Sequence, residues 1–197
     1  MSEEHEHQHR PYSPRLAFIL TNPLRRRLDP PYKLIDQILI TNEDTVVDFG
    51  CGPGYYTIEI ARRAKRTIGV DVSKEMLEKA RRAATKTGVT IDFLESNGET
   101  IELPSNSVDL ILLVHVYHEL PDKEKALVEF RRILKSGGRV VIQERTRKSR
   151  LGQILPGPPV VDVDKIVDQA RKVGYDQAKI EPYRGGDQAS LVILRKT

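Results

Sequence analysis

Apolar and polar positions follow two different periods along most of this chain. Short apolar runs, which suit strands covered on both faces of a sheet, alternate with segments whose apolar positions recur at the spacing of an amphipathic helix. The first five predicted strands are residues 45–49, 67–70, 90–94, 108–114 and 139–143. Strands and helices that alternate in this way predict an α/β sheet of mostly parallel strands.

Capping residues and glycines mark the predicted helices between these strands. One helix carries its apolar residues at Met76, Leu77, Ala80 and Ala84, with Ser73 as its cap and Gly88 as its stop. The other predicted helices are residues 55–64, residues 122–135 with Gly137-Gly138 as the stop, and residues 163–173 with Gly174 as the stop.

Two further helices precede this region, and two strands end it. The helices are residues 14–22 and 29–40, the second with Asp29 as its N-cap and Pro30 in its first position. The last strands, residues 178–183 and 190–194, must be antiparallel because their connection is so short. Together the elements predict a doubly wound, seven-stranded, mostly parallel α/β sheet that ends in an antiparallel hairpin.

The size and composition of the chain favour one main domain. With 197 residues, 39% hydrophobic and 30% charged, we expect residues 45–197 to form that domain, residues 14–44 to be helices that cover a pocket, and residues 1–13 to be a disordered tail. His5, His7 and His9 alternate in the tail and could chelate a metal, although a solvated tail is favoured. Without an apolar run of about 20 residues or a secretion signal, we expect a cytoplasmic protein with no membrane span.

Charge and cysteine content narrow the possible chemistry. The formal net charge of +4 is compatible with an anionic small molecule or a nucleic acid as the partner. Cys51 is the single cysteine, so an intramolecular disulfide is excluded. Because Cys51 lies inside a glycine-rich loop, we interpret it as a small filler rather than a reactive thiol.

The strongest local signal is the glycine-rich loop after the first predicted strand. Gly50, Gly52 and Gly54 let the backbone turn sharply and let a ligand approach without meeting a Cβ atom. In the dinucleotide-binding pattern the third glycine would stand where this chain has Tyr55. Asp48, just before the loop, would repel a pyrophosphate and suits the amino group of a bound amino acid. Both features favour a nucleoside ligand without phosphate groups.

A second carboxylate, Asp71, ends the neighbouring predicted strand. Ligands of doubly wound sheets bind at the carboxyl ends of the strands, where a carboxylate can accept hydrogen bonds from both hydroxyl groups of a ribose. The alternative is an aspartate that caps the next helix, just before Ser73. We favour the ribose role because the position of Asp71 coincides with that of the glycine loop.

These patterns together resemble the class I S-adenosylmethionine-dependent methyltransferases. The resemblance rests on Asp48-x-Gly50-x-Gly52-x-Gly54, on Gly69-Val70-Asp71, and on Leu103-Pro104 followed by Ser107-Val108-Asp109, and it extends to residues 129–138. It covers residues 31–145 well and is strongest to the small-molecule group that includes the ubiquinone and menaquinone methyltransferases. The resemblance implies a Rossmann-like methyltransferase fold and S-adenosyl-L-methionine as the cofactor.

The resemblance also implies roles for individual residues. Val72 would pack on the adenine, and Gly98 would offer its backbone N–H to the adenine ring. Asn97 stands where the family usually has an aspartate, but an amide oxygen can still accept a hydrogen bond from the adenine amino group. The residues implied to bind the cofactor are Asp48, Gly50, Cys51, Gly52, Gly54, Asp71, Val72, Asn97, Gly98 and His115.

The segment after the fourth predicted strand carries the candidate catalytic residues His115, Tyr117 and His118. In methyltransferases of this kind the tip of that strand faces the transferred methyl group. A histidine there can act as a general base for a hydroxyl, an amine or an acidic carbon, but a structural hydrogen bond or helix cap is an equal alternative for His118. With Glu119 the histidines form a His-x-x-His-Glu pattern without the i, i+4 spacing of helical zinc sites, so no metal is expected.

The identity of the methyl acceptor stays open at the level of sequence. Residues 144–161 are predicted to form a loop, and residues 145–161 offer only a short basic stretch with Arg145, Arg147, Lys148 and Arg150. The pocket is therefore open, roofed by the N-terminal helices, or closed by a second subunit of a homodimer. The first hypothesis is a small acceptor, with an anionic molecule as one form of it. The alternatives are RNA or protein methylation in the open basic pocket and a non-catalytic protein that binds S-adenosylmethionine.

Two features near the N-terminus invite a functional interpretation. Asp29-Pro30-Pro31-Tyr32 spells a motif of enzymes that methylate amino groups on flipped DNA bases. In those enzymes the motif follows strand four, whereas here it precedes strand one, so a helix start explains it more simply. Arg25-Arg26-Arg27 is expected either to be solvated or to bind an anionic acceptor or RNA phosphates.

Overall fold

A mixed β-sheet forms the centre of the molecule. In the computed structural model, which describes residue 27 and residues 30–147, 159–185 and 188–197, the strands are β1 (Thr45–Phe49), β2 (Arg66–Asp71), β3 (Asp92–Glu95), β4 (Val108–Val114), β5 (Leu134–Arg145), β6 (Gln177–Pro182) and β7 (Ala189–Arg195). Their order across the sheet is β3-β2-β1-β4-β5-β7-β6. The pairs among β1 to β5 are parallel, and β7 is antiparallel to both β5 and β6. The predicted fold class is confirmed.

The helices that flank this sheet are α1 (Tyr32–Gln37), α2 (Thr57–Ala61), α3 (Lys74–Thr87), α4 (Lys123–Ile133) and α5 (Val163–Lys172), with a short 3-10 helix (Tyr117–Glu119) after β4. Both predicted limits of α3 are confirmed, because the hydroxyl of Ser73 accepts a hydrogen bond from the Met76 N–H and Gly88 adopts a φ of +69°. The helices α1 and α2 are shorter than predicted. Asp29, the predicted cap of α1, and the predicted helix 14–22 lie outside the described residues. Within the described ranges, every helix is too short or too polar to cross a membrane.

Apolar side chains pack on both faces of the sheet, as a doubly wound fold requires. On one face, Ile111 of β4 belongs to the same buried cluster as Phe130 of α4. On the other face, the next residue, Leu112, shares a buried cluster with Leu34 of α1. Because successive side chains of a strand point to opposite faces, β4 must be apolar at nearly every position. This explains the continuous apolar run from which it was predicted.

The boundary between α4 and β5 differs from the prediction. The pattern predicted a helix to residue 135, a stop at Gly137-Gly138 and a strand from residue 139, but α4 ends at Ile133 and β5 begins at once. β5 pairs with β4 at Leu134 and again from Arg139 onward, and the residues between them bulge out of the ladder. Gly137 has a φ of +77° in this bulge. The two glycines therefore belong to an irregular strand rather than to a helix end.

The other end of β5 also extends beyond its predicted limit at residue 143. Glu144 and Arg145 pair with Ser190 and Ala189 of β7, so they belong to the sheet and not to the loop predicted over residues 144–161. Most of that loop, residues 148–158, lies outside the described residues. Because Glu144 pairs with Ser190 of β7, its backbone is part of the sheet at the carboxyl end of the parallel strands.

Candidate functional site

The glycine-rich loop connects the carboxyl end of β1 to α2. The N–H groups of Gly50 and Cys51 donate to the carbonyl oxygen of Val70 at 2.7 and 3.0 Å, and the N–H of Gly54 donates to the carbonyl oxygen of Cys51 at 3.0 Å. Gly50, Gly52 and Gly54 have φ angles of +73°, +51° and +89°. Since residues with a Cβ atom disfavour this left-handed region, the loop depends on glycine at all three positions.

The space around the loop differs between two of its glycines. A Cβ atom on Gly50 would lie 2.4 Å from Cγ2 of Val116, whereas a Cβ atom on Gly52 would meet no atom of the described residues within 4 Å. Gly50 is therefore required by the close approach of the segment after β4. Gly52 instead borders open space that a ligand can fill.

Asp71 at the end of β2 braces this loop. Its Oδ2 atom accepts a hydrogen bond from the Gly52 N–H at 2.8 Å, and its Oδ1 atom accepts one from the Ser73 N–H at 2.9 Å. Burial raises the pKa of Asp71, and the Ser73 and Gly52 N–H groups offset part of this effect. The bond to Ser73 is the helix-start contact that the sequence offered as an alternative. Each carboxylate oxygen can accept a second hydrogen bond, so the two roles are compatible.

Asp48 is a buried carboxylate beneath the loop. Its Oδ2 atom accepts a hydrogen bond from the hydroxyl of Thr57, the first residue of α2, at 2.6 Å. Burial raises the pKa of Asp48 to about 7, an effect that the Thr57 hydrogen bond reduces and the negative charge of Asp71 increases. A positive charge on a ligand would stabilise both carboxylates. The electrostatics thus agree with the sequence argument against a phosphate ligand.

Three further residues implied to bind the adenine lie near the ends of β2 and β3. Val72 is 54% exposed and offers apolar surface. The Oδ1 atom of Asn97 accepts a hydrogen bond from the Glu99 N–H at 3.1 Å, and the N–H of Gly98 donates to Oγ of Ser96 at 3.0 Å. The Asn97 oxygen can accept a second hydrogen bond, whereas the Gly98 N–H could bind adenine only if the Ser96 hydroxyl turned away.

Two imidazoles and a carboxylate meet where β4 and β5 end. The register that pairs Val114 with Gln143 brings His115 beside Glu144, whose side chain is 0% exposed. Both carboxylate oxygens of Glu144 lie 3.1 Å from Nδ1 of His118, and the backbone N–H of His118 donates to Oε1 at 3.3 Å. Nδ1 of His115 lies 3.7 Å from Oε2, which is too long for a hydrogen bond.

The charge states within this cluster follow from its contacts. Burial raises the pKa of Glu144, but the His115 and His118 imidazoles outweigh burial and hold this pKa well below its ordinary value. Burial of the His118 ring lowers its pKa, but the hydrogen bond and the charge of Glu144 outweigh burial and leave the pKa raised. The two directions agree. Glu144 is a carboxylate at neutral pH, and His118 binds a proton more readily than a free imidazole.

Tyr117, the third candidate catalytic residue from the sequence, lies in the core of this structure. Its side chain belongs to the core between the sheet and α4 and is 1% exposed. The hydroxyl donates to Oε1 of Gln169 in α5 at 2.8 Å. The short helix that contains Tyr117 turns the ring into the core, and no pattern of residues indicated this turn in advance.

Two further sequence candidates are Cys51 and the arginine run of residues 25–27. Burial, together with the negative charges of Asp48 and Asp71, raises the pKa of the Cys51 thiol well above its usual range, so this buried residue is not a thiolate. Arg27 is exposed, and Arg25 and Arg26 lie outside the described residues. In the described part of the chain, His, Cys, Asp and Glu side chains form no group that could hold a metal ion.

Glu144 is the functional candidate that sequence reasoning missed. The sequence predicted a strand end at residue 143 and a polar loop beyond it, so the carboxylate was interpreted as part of the loop. A signal was present, because Glu144 directly follows the predicted strand 139–143, just as His115 directly follows the predicted strand 108–114. Parallel neighbouring strands end at the same edge of a sheet, and this could have brought the two residues together.

Comparisons with known proteins show which sequences and structures this chain resembles. Residues 47–142 match the sequence profile of the family described as "Methyltransferase domain". A probable methyltransferase of Aspergillus luteorubrus, ltbC, is 36% identical over 111 residues, which are 50% of this chain and 39% of that protein. The demethylmenaquinone methyltransferase of Lactiplantibacillus plantarum is 34% identical over 116 residues, which are 56% of this chain and 49% of that protein.

A solved structure extends the similarity to nearly the whole fold. The crystal structure of a SAM-dependent methyltransferase from Aquifex aeolicus superposes with a TM-score of 0.83 at 24% sequence identity and covers 94% of this chain and 100% of that one. At this identity the likeness concerns the fold alone. This chain spans about half the length of the first curated relatives that it matches.

Proposed function

We propose that this chain, whose residues 47–142 match the methyltransferase domain family, is a class I S-adenosylmethionine-dependent methyltransferase that transfers a methyl group from S-adenosylmethionine to a small acceptor. S-adenosylmethionine, when bound, supplies a methyl group on a positively charged sulfonium that is already activated for displacement. The observation that carries the proposal is the open space at Gly52 beside two buried carboxylates, Asp48 and Asp71.

The proposed binding mode assigns a different part of the cofactor to each of these groups. Asp71 has a lone pair on each oxygen for the ribose hydroxyls, and Val72 offers its exposed side chain to the adenine. The pKa of Asp48 is raised to about 7, so a nearby cation such as the amino group of the methionine part would stabilise its ionised form. A pyrophosphate in the same place would face two carboxylates, so the charge distribution supports a nucleoside without phosphates.

The contribution of the protein to methyl transfer is mainly to orient the acceptor. Correct orientation of two reactants can supply on the order of 7–11 kcal/mol. The contact between Val116 and Gly50 holds the segment after β4 against the cofactor loop. His115 and His118 on this segment are thereby brought close to the loop, and we propose that they line the acceptor side of the pocket.

A small anionic molecule is the acceptor that the charges favour. Arg145 at the end of β5 and Arg147 beyond it lie at the same edge of the sheet as the proposed site, and the whole chain carries a net charge of +4. The same charges would also suit the phosphate groups of RNA, which is the second candidate acceptor. The two candidates differ in salt dependence. When a protein contacts several phosphate groups of an RNA, its affinity for that RNA falls steeply as the salt concentration rises.

The proposal is tested by the release of S-adenosylhomocysteine from S-adenosylmethionine in the presence of candidate acceptors. Small phenols, carboxylates and amines form one set, and total RNA forms the other. We expect release with a small acceptor and none with the Asp71→Ala variant. Release with RNA alone would favour the second candidate. Binding of S-adenosylmethionine without release in either set would contradict catalysis and favour a cofactor-binding protein.

A further inference from the structure

We propose that Glu144 and His118 form a proton-accepting pair and that the methylated atom of the acceptor is therefore the oxygen of a hydroxyl group. This inference rests on the proposed function, because it concerns the acceptor side of the same site. It is carried by the geometry of a fully buried carboxylate, by the orientation that this carboxylate imposes on one imidazole, and by the position of that imidazole beside the cofactor loop.

The first step concerns the burial of Glu144. Its side chain is 0% exposed, and an ionised carboxylate is costly to bury unless it is paired and hydrogen-bonded. Its described partners are the ring and backbone N–H of His118, with the ring of His115 at 3.7 Å. The partners of this buried charge thus belong to a single segment, the four residues that follow β4. An arrangement built only for stability would be served equally well by an uncharged side chain.

The second step concerns the orientation of the His118 ring. Nδ1 lies 3.1 Å from both oxygens of Glu144, and a carboxylate can only accept hydrogen bonds. The neutral ring must therefore carry its proton on Nδ1, and Nε2 is left with a free lone pair. Among the described residues, the carboxylate nearest to Nε2 is that of Glu119, at 3.8 Å, which is beyond hydrogen-bond distance. The side chain of His118 is 18% exposed, so part of the side chain reaches the surface of the described structure.

The third step concerns the position of the pair. His115 has a φ of +57°, and its N–H donates to the carbonyl oxygen of Gln143 at 2.9 Å, which ties the turn after β4 to the end of β5. Val116 then packs directly on Gly50 of the cofactor loop. His118 follows two residues later, so the imidazole belongs to the short segment that packs on this loop at the carboxyl end of β1 and β4.

The chemical step balances with the residues present. The hydroxyl oxygen of the acceptor forms a bond to the methyl carbon while the bond from that carbon to sulfur breaks, and the bonding electrons leave with the sulfur. The hydroxyl proton moves to Nε2 of His118, which becomes an imidazolium paired with Glu144. The products are a methyl ether and S-adenosylhomocysteine. Loss of the Nε2 proton to solvent restores the imidazole.

The pair selects for a hydroxyl because of when each acceptor must lose its proton. A neutral amine attacks with its own lone pair and can lose its proton to water afterwards. A thiol ionises near neutral pH without much help, since its ordinary pKa is about 8.5. A phenolic hydroxyl has a pKa of about 10, so it gains most from a base positioned to take the proton during transfer.

The groups around His118 set the pH range in which the pair can accept a proton. Burial lowers the pKa of His118, but the hydrogen bond and the charge of Glu144 raise it, Glu119 raises it further, and Lys123 of α4 lowers it, with a net raised value. The Glu144→Gln variant keeps an oxygen that can accept from the ring and backbone N–H groups but loses the charge. We therefore expect a lower His118 pKa in this variant.

The experiment combines two readouts on the full chain, with Glu43→Gln as the matched control because Glu43 is an exposed carboxylate before β1, at the opposite edge of the sheet. Nitrogen NMR of the histidine rings reports the tautomer and the pKa of His118. Calorimetry with S-adenosylmethionine reports cofactor binding. We expect the Nδ1–H tautomer in the native protein, a lower His118 pKa only in Glu144→Gln, and unchanged cofactor affinity in both variants.

Activity is then measured with 4-methylphenol, 4-nitrophenol and 4-methylaniline as acceptors of similar shape. We expect S-adenosylhomocysteine release with the phenols, a loss of about 10- to 100-fold with 4-methylphenol in Glu144→Gln, and a smaller loss with 4-nitrophenol, which ionises more easily without a base. An unchanged His118 pKa in Glu144→Gln overturns the pair. Release with the aniline alone, or with neither phenol, overturns the hydroxyl assignment. If the native protein does not bind S-adenosylmethionine, the proposed function itself is refuted.

Discussion

At the scale of single residues, the burial of Asp48, a proposed binding group, lowers the free energy of unfolding when the carboxylate is ionised. Burial raises its pKa to about 7, far above the ordinary value of an aspartate in an unfolded chain. Between about pH 4 and pH 7 the folded protein therefore holds a proton that the unfolded chain has lost. The free energy of unfolding falls as pH rises through this range, so ionised Asp48 destabilises the ligand-free protein.

The Asp48→Asn variant tests this cost. We expect the amide to keep the hydrogen bond from Thr57 and to raise the free energy of unfolding by about 1–3 kcal/mol at about pH 8, with little gain at about pH 5, where the native carboxyl is already protonated. Thermal unfolding at both pH values measures the difference. We also expect weaker S-adenosylmethionine binding, because the variant lacks the negative charge. An equal gain in stability at the two pH values would contradict this account of Asp48.

Gly50 and Gly52 provide a pair of substitutions with opposite expected effects. Gly50→Ala would drive a Cβ atom into Val116, so we expect a loss of about 2–4 kcal/mol in the free energy of unfolding from backbone strain and overpacking. Gly52→Ala meets no described atom and should cost only about 1–2 kcal/mol in strain, while its Cβ atom occupies the space proposed for the ligand. Urea unfolding and calorimetry separate the effects. If Gly52→Ala binds S-adenosylmethionine as tightly as the native protein does, the ligand must lie elsewhere.

The residues near the glycine loop could be predicted from sequence, and those of the histidine cluster only in part. Asp48 and the three glycines stand at alternate positions of one short segment, so their spacing alone indicates a loop and its preference for a cation. Glu144 becomes a partner of His118 only through the register that pairs Val114 with Gln143. Such long-range register depends on packing of the whole sheet, which periodicity does not reveal.

At the scale of elements, the start of α3 fixes the direction in which the chain leaves β2. The hydroxyl of Ser73 accepts the Met76 N–H at 3.3 Å, and replacement of such a cap by alanine costs about 1 kcal/mol. We expect Ser73→Ala to lower the free energy of unfolding by this amount, measured by urea denaturation. Ser136→Ala, at an exposed position in the β5 bulge, is the control and should change stability little. An equal loss in both variants would contradict the cap.

The limits of the elements were predictable where one local signal dominates. β1 and β4 have the predicted bounds because both are apolar runs that end at polar or glycine residues. The end of α4 was not predictable in this way, because Gly137-Gly138 has the composition of a helix stop but serves a strand bulge. Glycine reports only that the backbone adopts an unusual conformation, and the element to which it belongs depends on what lies beside it.

At the scale of the whole molecule, the topology places the candidate functional side chains at one edge of the sheet. β1, β2, β4 and β5 are parallel and adjacent, so the polar residues at their carboxyl ends converge although they are far apart in sequence. The antiparallel strand β7 extends this arrangement, because its pairing with Glu144 holds the end of β5 in place. The opposite edge carries no comparable group of buried carboxylates and imidazoles among the described residues.

The central claim is that this edge binds a sulfur-containing nucleoside, and calorimetric titration tests it most directly. S-adenosylmethionine and S-adenosylhomocysteine are titrated into the native protein and into Asp71→Ala, with NADH as a dinucleotide control and thermal unfolding to verify that the variant is folded. We predict dissociation constants on the order of micromolar, equivalent to about −8 kcal/mol, for both sulfur ligands, with loss of binding in the folded variant and no binding of NADH. Tighter binding of NADH, or no binding of either sulfur ligand, would contradict the account.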